Sequence, residues 1–349
     1  MRFAILYTEL AAYTVSCLNA ASNSGFKIRV YRYPVHNEAP FALKLNPEIE
    51  VEERFQKSEN QISNELNEWN PDLVLVSGWR DKEYLKSGRR LGKRVPFILG
   101  LDNPWQGGAR QWMAMLYSRV FLKNSFTHCW VPGDRQVKYA RKLGFDENRI
   151  HSGAYSADVT LFNSYYQENK HLKYQSFPRR FLYVGRYLGF KGTRELWDAF
   201  KEFRRCGNDS WELWCAGTGA EFDQRDQSEG IKHFGFLQPE ELRKLIAETG
   251  VFILPSQKEP WGVVVQEFAA AGFPLICSEA VGAADTFLRE GENGFLFKTQ
   301  SVESLVGAME KIAAISDDKL VQMGDNSHQL AQQITPETWV QTLYRFLDK

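Results

Sequence analysis

The chain has 349 residues, 43% hydrophobic, 25% charged and 14% aromatic, an ordinary globular composition long enough for two domains. Lys plus Arg and Asp plus Glu both total 43, a balance that argues against a nucleic-acid partner. Five widely spaced cysteines without metal-ligand spacing (Cys17, Cys129, Cys206, Cys215 and Cys277) fit a reduced, cytoplasmic compartment. No signal-peptide pattern follows Met1, and no apolar run approaches the roughly 20 residues of a spanning helix.

Strand and helix signals alternate through the first half. Residues 3–7 predict a strand, 10–21 a helix, and 27–33 a strand stopped by Pro34. A helix is expected over 52–69, strands over 72–77 and 95–101, a helix over 107–123, a strand over 126–131 and a helix over 134–143. This alternation predicts a parallel, doubly wound α/β sheet. Residues 158–175, polar and aromatic with no clear period, read as a connection between domains. The pattern then restarts: strands at 181–184, 211–216 and 231–234, helices at 193–205 and 239–248. Strands at 275–277 and 294–297 follow, then a helix at 302–315. The final helix, 336–346, places Trp339, Leu343 and Phe346 on one face. The expected domains are 1–165 and 166–335.

Charge is unevenly spread. Between Arg80 and Lys142 fourteen Lys and Arg residues face four acids, Asp81, Glu83, Asp102 and Asp134. Within this region Trp112, Met113, Met115, Leu116, Tyr117, Val120, Phe121 and Leu122 crowd one predicted helix, beside Arg110, Arg119 and Lys123. Such a helix is either buried beneath the sheet or suited to the surface of an anionic membrane.

The most informative stretch is 250–274. Val251-Phe252-Ile253-Leu254, closed by Pro255 and Ser256, reads as a buried parallel strand. A polar loop ending in Glu259-Pro260-Trp261 leads through Gly262 into an apolar helix interrupted only by Gln266 and Glu267, which ends at Gly272. Two carboxylates, Glu259 and Glu267, thus bracket a glycine-led helix N-terminus at the mouth of a strand, where open α/β sheets bind ligands and helix N-termini bind phosphates. An acid among Val263, Val264, Val265 and Phe268 is either a solvated edge position or needs a partner. Upstream, Val184-Gly185-Arg186 and Lys191-Gly192 place two cations around a glycine-rich turn that opens a helix. Arg grips phosphate oxygens bidentately and Lys acts as a compact charge, although a solvated turn has the same letters. Gly217-Thr218-Gly219 is a G-x-G turn after a strand, and Phe234-Gly235-Phe236-Leu237 is a strand end carrying a glycine.

The string Glu259-Pro260-Trp261-Gly262-Val263-Val264-Val265-Gln266-Glu267 resembles the E-x7-E signature of retaining, nucleotide-sugar-dependent glycosyltransferases of the GT-B fold, more narrowly their family four. The VGR–KG element, the G-x-G turn, the FGFL run and Asn293-Gly294-Phe295-Leu296 follow the family's order, and the resemblance covers roughly residues 181–346. It implies two Rossmann-like domains facing across a cleft, with the last helix packed back on the N-terminal domain. It further implies that Arg186 and Lys191 hold the donor diphosphate, Glu259 the hydroxyls of the donor sugar, and Glu267 the ribose. The backbone at Gly262, Val263 and Val264, with Trp261, Gly217, Gly219 and Phe236, would border the nucleotide. The implied activity moves a hexose-type sugar from a UDP- or GDP-linked donor to a glycan or lipid-linked glycan acceptor, with no metal and no cofactor, at the inner face of a membrane or free in the cytoplasm. Two departures stand in the N-terminal half. The first turn, Thr8-Glu9-Leu10-Ala11-Ala12, lacks the family's glycines. Where many relatives carry a histidine, this chain reads Gly100-Leu101-Asp102-Asn103-Pro104-Trp105, in which Asp102 or Asn103 could take a sugar hydroxyl and Trp105 a sugar face. These departures leave a second reading, a non-catalytic sugar-nucleotide-binding subunit; a sugar-nucleotide epimerase fits the E-x7-E arrangement less well.

Overall fold

The computed structural model describes residues 1–8, 10–34, 40–58, 60–122 and 125–348. Glu9, Lys123 and the side chain of Leu122, singled out above, lie outside the described residues. In chain order the first half contains β1 (Arg2–Leu6), α1 (Ala12–Asn23), β2 (Lys27–Arg32), β3 (Glu50–Glu53), α2 (Gln61–Trp69), β4 (Leu73–Val76), α3 (Lys82–Leu91), β5 (Phe97–Gly100), α4 (Ala109–Tyr117), β6 (His128–Trp130), α5 (Asp134–Lys142) and β7 (Ile150–His151). The second half contains α6 (Val159–Gln175), β8 (Arg180–Val184), α7 (Thr193–Arg205), β9 (Glu212–Ala216), β10 (Ile231–His233), α8 (Arg243–Glu248), β11 (Val251–Leu254), α9 (Val263–Ala270), β12 (Leu275–Ser278), α10 (Ala284–Phe287), β13 (Gly294–Phe297), α11 (Val302–Ala313) and α12 (Asp317–Ala331), and α13 (Pro336–Leu347) closes the chain.

The described strands form two parallel sheets, ordered β3-β2-β1-β4-β5-β6-β7 and β10-β9-β8-β11-β12-β13. They belong to two compact units: the second spans Ala157–Gln333 together with Pro40, and the first takes the rest of the described chain up to Ser156 and from Ile334 onward. In both sheets the first strand in sequence lies centrally and the order reverses beside it, at β1/β4 and β8/β11. Such a reversal opens a crevice at the carboxyl ends of the strands. Strands buried on both faces explain the continuous apolar runs: every residue of β4, β11 and β12 is buried.

The chain end returns to the first unit. Thr335 and Thr338 form a reciprocal capping box, Pro336 sits at the start of the helix, and α13 lays Trp339, Val340, Leu343 and Phe346 into the core beneath β1 and β6. The Trp339 ring lies 4.8 Å from Trp130 and 6.1 Å from Phe3, and its indole N–H donates to the Ala154 carbonyl at 3.0 Å.

Three segments depart from the pattern-based expectation. Residues 50–53 form a strand rather than the start of a helix, because Glu50 and Glu53 lie opposite Arg29 and Arg32 in register and pair with them at 2.5 and 3.0 Å. Cross-strand charge pairs stabilise an edge strand whose letters alone favour a helix. Residues 158–175 are not a connection: α6 begins at Asp158, whose carboxylate caps the Leu161 N–H. Its buried face mixes Phe162, Tyr165 and Tyr166 with Asn169 and Lys173, which erases the apolar period. The helix expected over 107–123 is α4 followed by a π-helical turn, Ser118–Leu122, and six of its large apolar side chains are exposed rather than buried beneath the sheet, as described below.

The docking of α13 makes a prediction. Replacing Trp339 by Ala removes a fully buried indole and its hydrogen bond, and should destabilise the first unit by about 3–5 kcal/mol, read as a lower thermal midpoint by circular dichroism. An unchanged midpoint would show that the helix contributes nothing to the core.

Candidate active site

The candidate site is built at the strand-order reversal of the second sheet, where β8 and β11 end side by side. After β8 the chain turns through Gly185-Arg186, and the Tyr183 hydroxyl donates to the Arg186 carbonyl at 2.8 Å, fixing the backbone from which the guanidinium extends. A short helical turn, Gly189–Lys191, then opens α7. Gly192, at its N-cap with φ +70°, meets two demands only glycine satisfies together. Its backbone is left-handed, and a β-carbon there would overlap the Pro255 carbonyl. The turn after β8 therefore sits directly on the turn after β11.

Further bonds lock the two turns. The N–H groups of Gln257 and Lys258 both donate to the Phe190 carbonyl, at 2.8 and 3.3 Å, and the Gln257 side chain donates to Glu195 of α7 at 2.6 Å. On the other side Gly282 N–H donates to the Glu259 carbonyl at 3.1 Å and Ala283 N–H to the Trp261 carbonyl at 2.9 Å. The loop holding Glu259 is thus gripped from both flanks.

This framing brings Lys191 and Glu259 into direct contact: the ammonium donates to Glu259 Oε2. Ser256, buried at the end of β11, donates to the same oxygen at 3.1 Å. The Lys191 and Glu259 side chains are only 14% and 12% exposed, so each charge depends on its partner. Glu259 Oε1 has no hydrogen bond among the described residues. Gly262 follows at φ +93° and caps α9 without a side chain; a β-carbon there would press on the Glu259 side chain. The N–H groups at the start of α9, from Val263 and Val264, take no part in the helix ladder, which leaves partial positive charge at this end.

Glu267 lies on the second turn of α9, half-buried, with no hydrogen-bond or ion-pair partner among the described residues. Burial, with Asp158 nearby, pushes its carboxyl up to about 7. Its neighbour Gln266 is fully buried and bonded at both ends, accepting from Ala157 N–H at 2.8 Å and donating to the Ala331 carbonyl at 3.0 Å. The other expected nucleotide-side residues also gather in this unit. Gly217 N–H donates to the Gly235 carbonyl at 2.6 Å and Tyr187 N–H to the Thr218 carbonyl at 2.8 Å, which joins the G-x-G turn to the run containing Phe236 and to the chain just past Arg186. Trp261 is placed differently: its ring is buried against Phe287, so it forms the wall behind the loop. Asp102 belongs to the first unit, beyond the end of β5. Its carboxyl is raised by burial, and it accepts from Asn103 at 2.8 Å. Trp105 packs against Trp112 and Tyr139, and the Lys142 ammonium lies 4.8 Å from the centre of its ring. Ser256 and Tyr183 were not singled out in the sequence. A serine directly after the strand-ending proline was the available signal for the first; nothing marked the second.

The profile of the family described as "Glycosyl transferases group 1" matches residues 154–330. The chain belongs to this family. Glycogen synthase of Mycobacterium tuberculosis is 31% identical over 142 residues, 39% of this chain and 34% of that protein. The lipopolysaccharide core biosynthesis glycosyltransferase LpsE of Rhizobium meliloti is 28% identical over 138 residues, 38% of each chain. In both cases the match spans little more than a third of the relative's length. Among solved structures, Anabaena HepE in complex with UDP and glucose covers 99% of both chains with a TM-score of 0.74 at 16% identity. Sucrose-phosphate synthase of Thermosynechococcus elongatus covers 99% of this chain and 97% of its own, with a TM-score of 0.75 at 16% identity. The group 1 chain therefore shares the two-unit, parallel-sheet GT-B fold with these proteins.

Glu267 provides a test of the site that needs no substrate. A carboxyl raised on folding stabilises the folded state only while it is protonated, and this contribution is lost as pH rises from the ordinary range near 4.5 through about 7. Glu267→Gln should therefore raise the thermal midpoint at pH 8 and change it little at pH 4. Equal effects at both pH values would show that the carboxylate is not desolvated.

Proposed function

We propose that this chain is a retaining, metal-independent glycosyltransferase that moves a hexose-type sugar from a UDP- or GDP-linked donor to a glycan acceptor, in the building of a polysaccharide or a lipid-linked glycan. The observation that carries the reading is the Lys191–Glu259 contact at the β8/β11 reversal, beside Arg186 and the open N-terminus of α9. Breaking a sugar–phosphate bond places negative charge on a diphosphate, and preorganised positive groups aimed there stabilise it. Arg186 and Lys191 supply full charges, and the N–H groups of Val263 and Val264 supply the helix-terminus contribution. Glu259, with Oε2 already held by Lys191 and Ser256, offers Oε1 to a sugar hydroxyl. Glu267 accepts from the ribose hydroxyls, which replaces the partner it lacks. Relatives named for glycogen synthesis and lipopolysaccharide core biosynthesis support a glycan acceptor. On this reading no carboxylate acts as a covalent nucleophile. The acceptor attacks on the face from which the diphosphate departs, the bond from the anomeric carbon to the phosphate oxygen breaks, and that oxygen takes the acceptor's proton.

Incubation with a panel of sugar nucleotides, with nucleotide release as the readout, tests the assignment. Arg186→Ala and Lys191→Ala should each lower turnover by roughly 10²-fold or more, the scale of removing one transition-state donor. Lys191→Ala also strands Glu259, so its fold is checked in parallel, and Arg186→Ala is the cleaner arm. Turnover near wild type in both variants would mean that the leaving group lies elsewhere.

Because cationic side chains and a helix end supply the charge, turnover should persist in excess chelator. A loss restored by magnesium or manganese would overturn this part of the reading.

A further inference from the structure

We infer that the helix formed by α4 and its π-helical continuation is a docking surface for an anionic lipid bilayer. Trp112, Met113, Leu116, Tyr117, Val120 and Phe121 are between 46% and 63% exposed, the densest group of exposed large apolar side chains among the described residues. The opposite side of the helix is anchored, and on this side Trp112 rests against Trp105. Met115 is buried, and the Ser118 hydroxyl donates to the Leu143 carbonyl at 2.8 Å. At about 100° per residue the four exposed side chains of α4, Trp112, Met113, Leu116 and Tyr117, spread over roughly 140° of its circumference with Arg110 at one edge, and Arg119, Val120 and Phe121 follow on the π-helical turn.

The charges around this face favour an anionic occupant. Lys142 stands 5.9 Å from the ring of Trp112 at one end. At the other, the Arg89 guanidinium donates to Ser125 at 3.3 Å, and Ser125 donates back to the Phe121 carbonyl at 3.1 Å. Arg110 and Arg119 have no ion-pair partner among the described residues, and residues 103–125 contain no Asp or Glu. An apolar arc rimmed by cations, with Trp and Tyr among its members, is the composition that settles at the headgroup boundary of a membrane. No helix among the described residues is long and apolar enough to cross a bilayer, so contact would be in the plane of the surface. A second protein is the rival occupant, but a face of this size with cations and no acids is not self-complementary.

Co-sedimentation of the full chain with vesicles tests the inference. Binding should occur to vesicles of phosphatidylcholine with 30% phosphatidylglycerol, be weak on phosphatidylcholine alone, and fall as salt rises. Arg110→Glu with Arg119→Glu should weaken it at least roughly fivefold for each cation removed. Leu116→Glu with Val120→Glu should abolish it. All four positions are exposed, so the circular dichroism and thermal midpoint should not change. The inference is overturned by equal partition onto neutral and anionic vesicles or by no partition onto either. It is also overturned if the Leu116/Val120 variant dissolves a dimer seen by sedimentation velocity while vesicle binding is absent, which would assign the face to a second copy.

Discussion

The contact between Lys191 and Glu259 is the constraint around which the second unit is arranged. Two largely buried charges are stable only as a pair, and pairing them requires the turns after β8 and β11 to touch. Gly192 permits that approach, and the Phe190 carbonyl takes two N–H groups from the opposing loop. Ser278, buried in β12, donates to the Ser256 carbonyl just ahead of Glu259. The charges are therefore held by backbone and short side chains rather than by flexible ones, which is how a site keeps its geometry while a ligand exchanges. The parallel sheet determines where this can happen, because only at the reversal beside β8 do two consecutive crossovers leave in opposite directions.

Much of this was legible in the chain. Strands buried on both faces are written as short apolar runs, and the second half carries them cleanly: 251–254 is β11 and 275–278 is β12. The spacing from Glu259 to Glu267 placed one carboxylate before the helix and one inside it, as the structure does. What pattern could not supply was partnership. Lys191 and Glu259 are 68 positions apart, and no local rule pairs them. The strand at 50–53 exists through Arg29 and Arg32 of its neighbour. Residues 159–175 hide a helix because Asn169 and Lys173 occupy buried positions where a period of apolar residues was sought. Lys173 stays dry over the Phe273 ring, and burial pushes its ammonium down to about 7, a placement that composition would not suggest.

The first unit differs in the character of its sheet edge. Beyond β1 and β5 lie Tyr7, Tyr13, Tyr155 and Asp102. Burial raises Tyr7, Tyr155 and Asp102, and the rings of Tyr13 and Tyr155 meet edge-on at 5.5 Å. At neutral pH the two raised phenols remain protonated and can donate hydrogen bonds. This part of the first unit is aromatic and largely buried, with one carboxyl raised among its phenols. The second unit instead places Arg186 and Lys191 where β8 and β11 end.

Gln266 and Glu267 show how two polar residues within one helix can differ in their bonding. They are consecutive residues of α9, and both interrupt an apolar run. Gln266 is fully buried and satisfied at both ends, by Ala157 and Ala331, so it ties the start of α6 to the end of α12. A residue of that kind stabilises the fold, and replacing it leaves a buried donor and acceptor without partners. Glu267 has no such bonds, and burial holds its carboxyl near 7. Glutamine would be less costly at this half-buried position above neutral pH, because an unpaired carboxylate there opposes folding. Of the two, Gln266 provides the tether and Glu267 carries the unpaired carboxyl, so the polar interruptions of this helix differ in what they contribute to the fold.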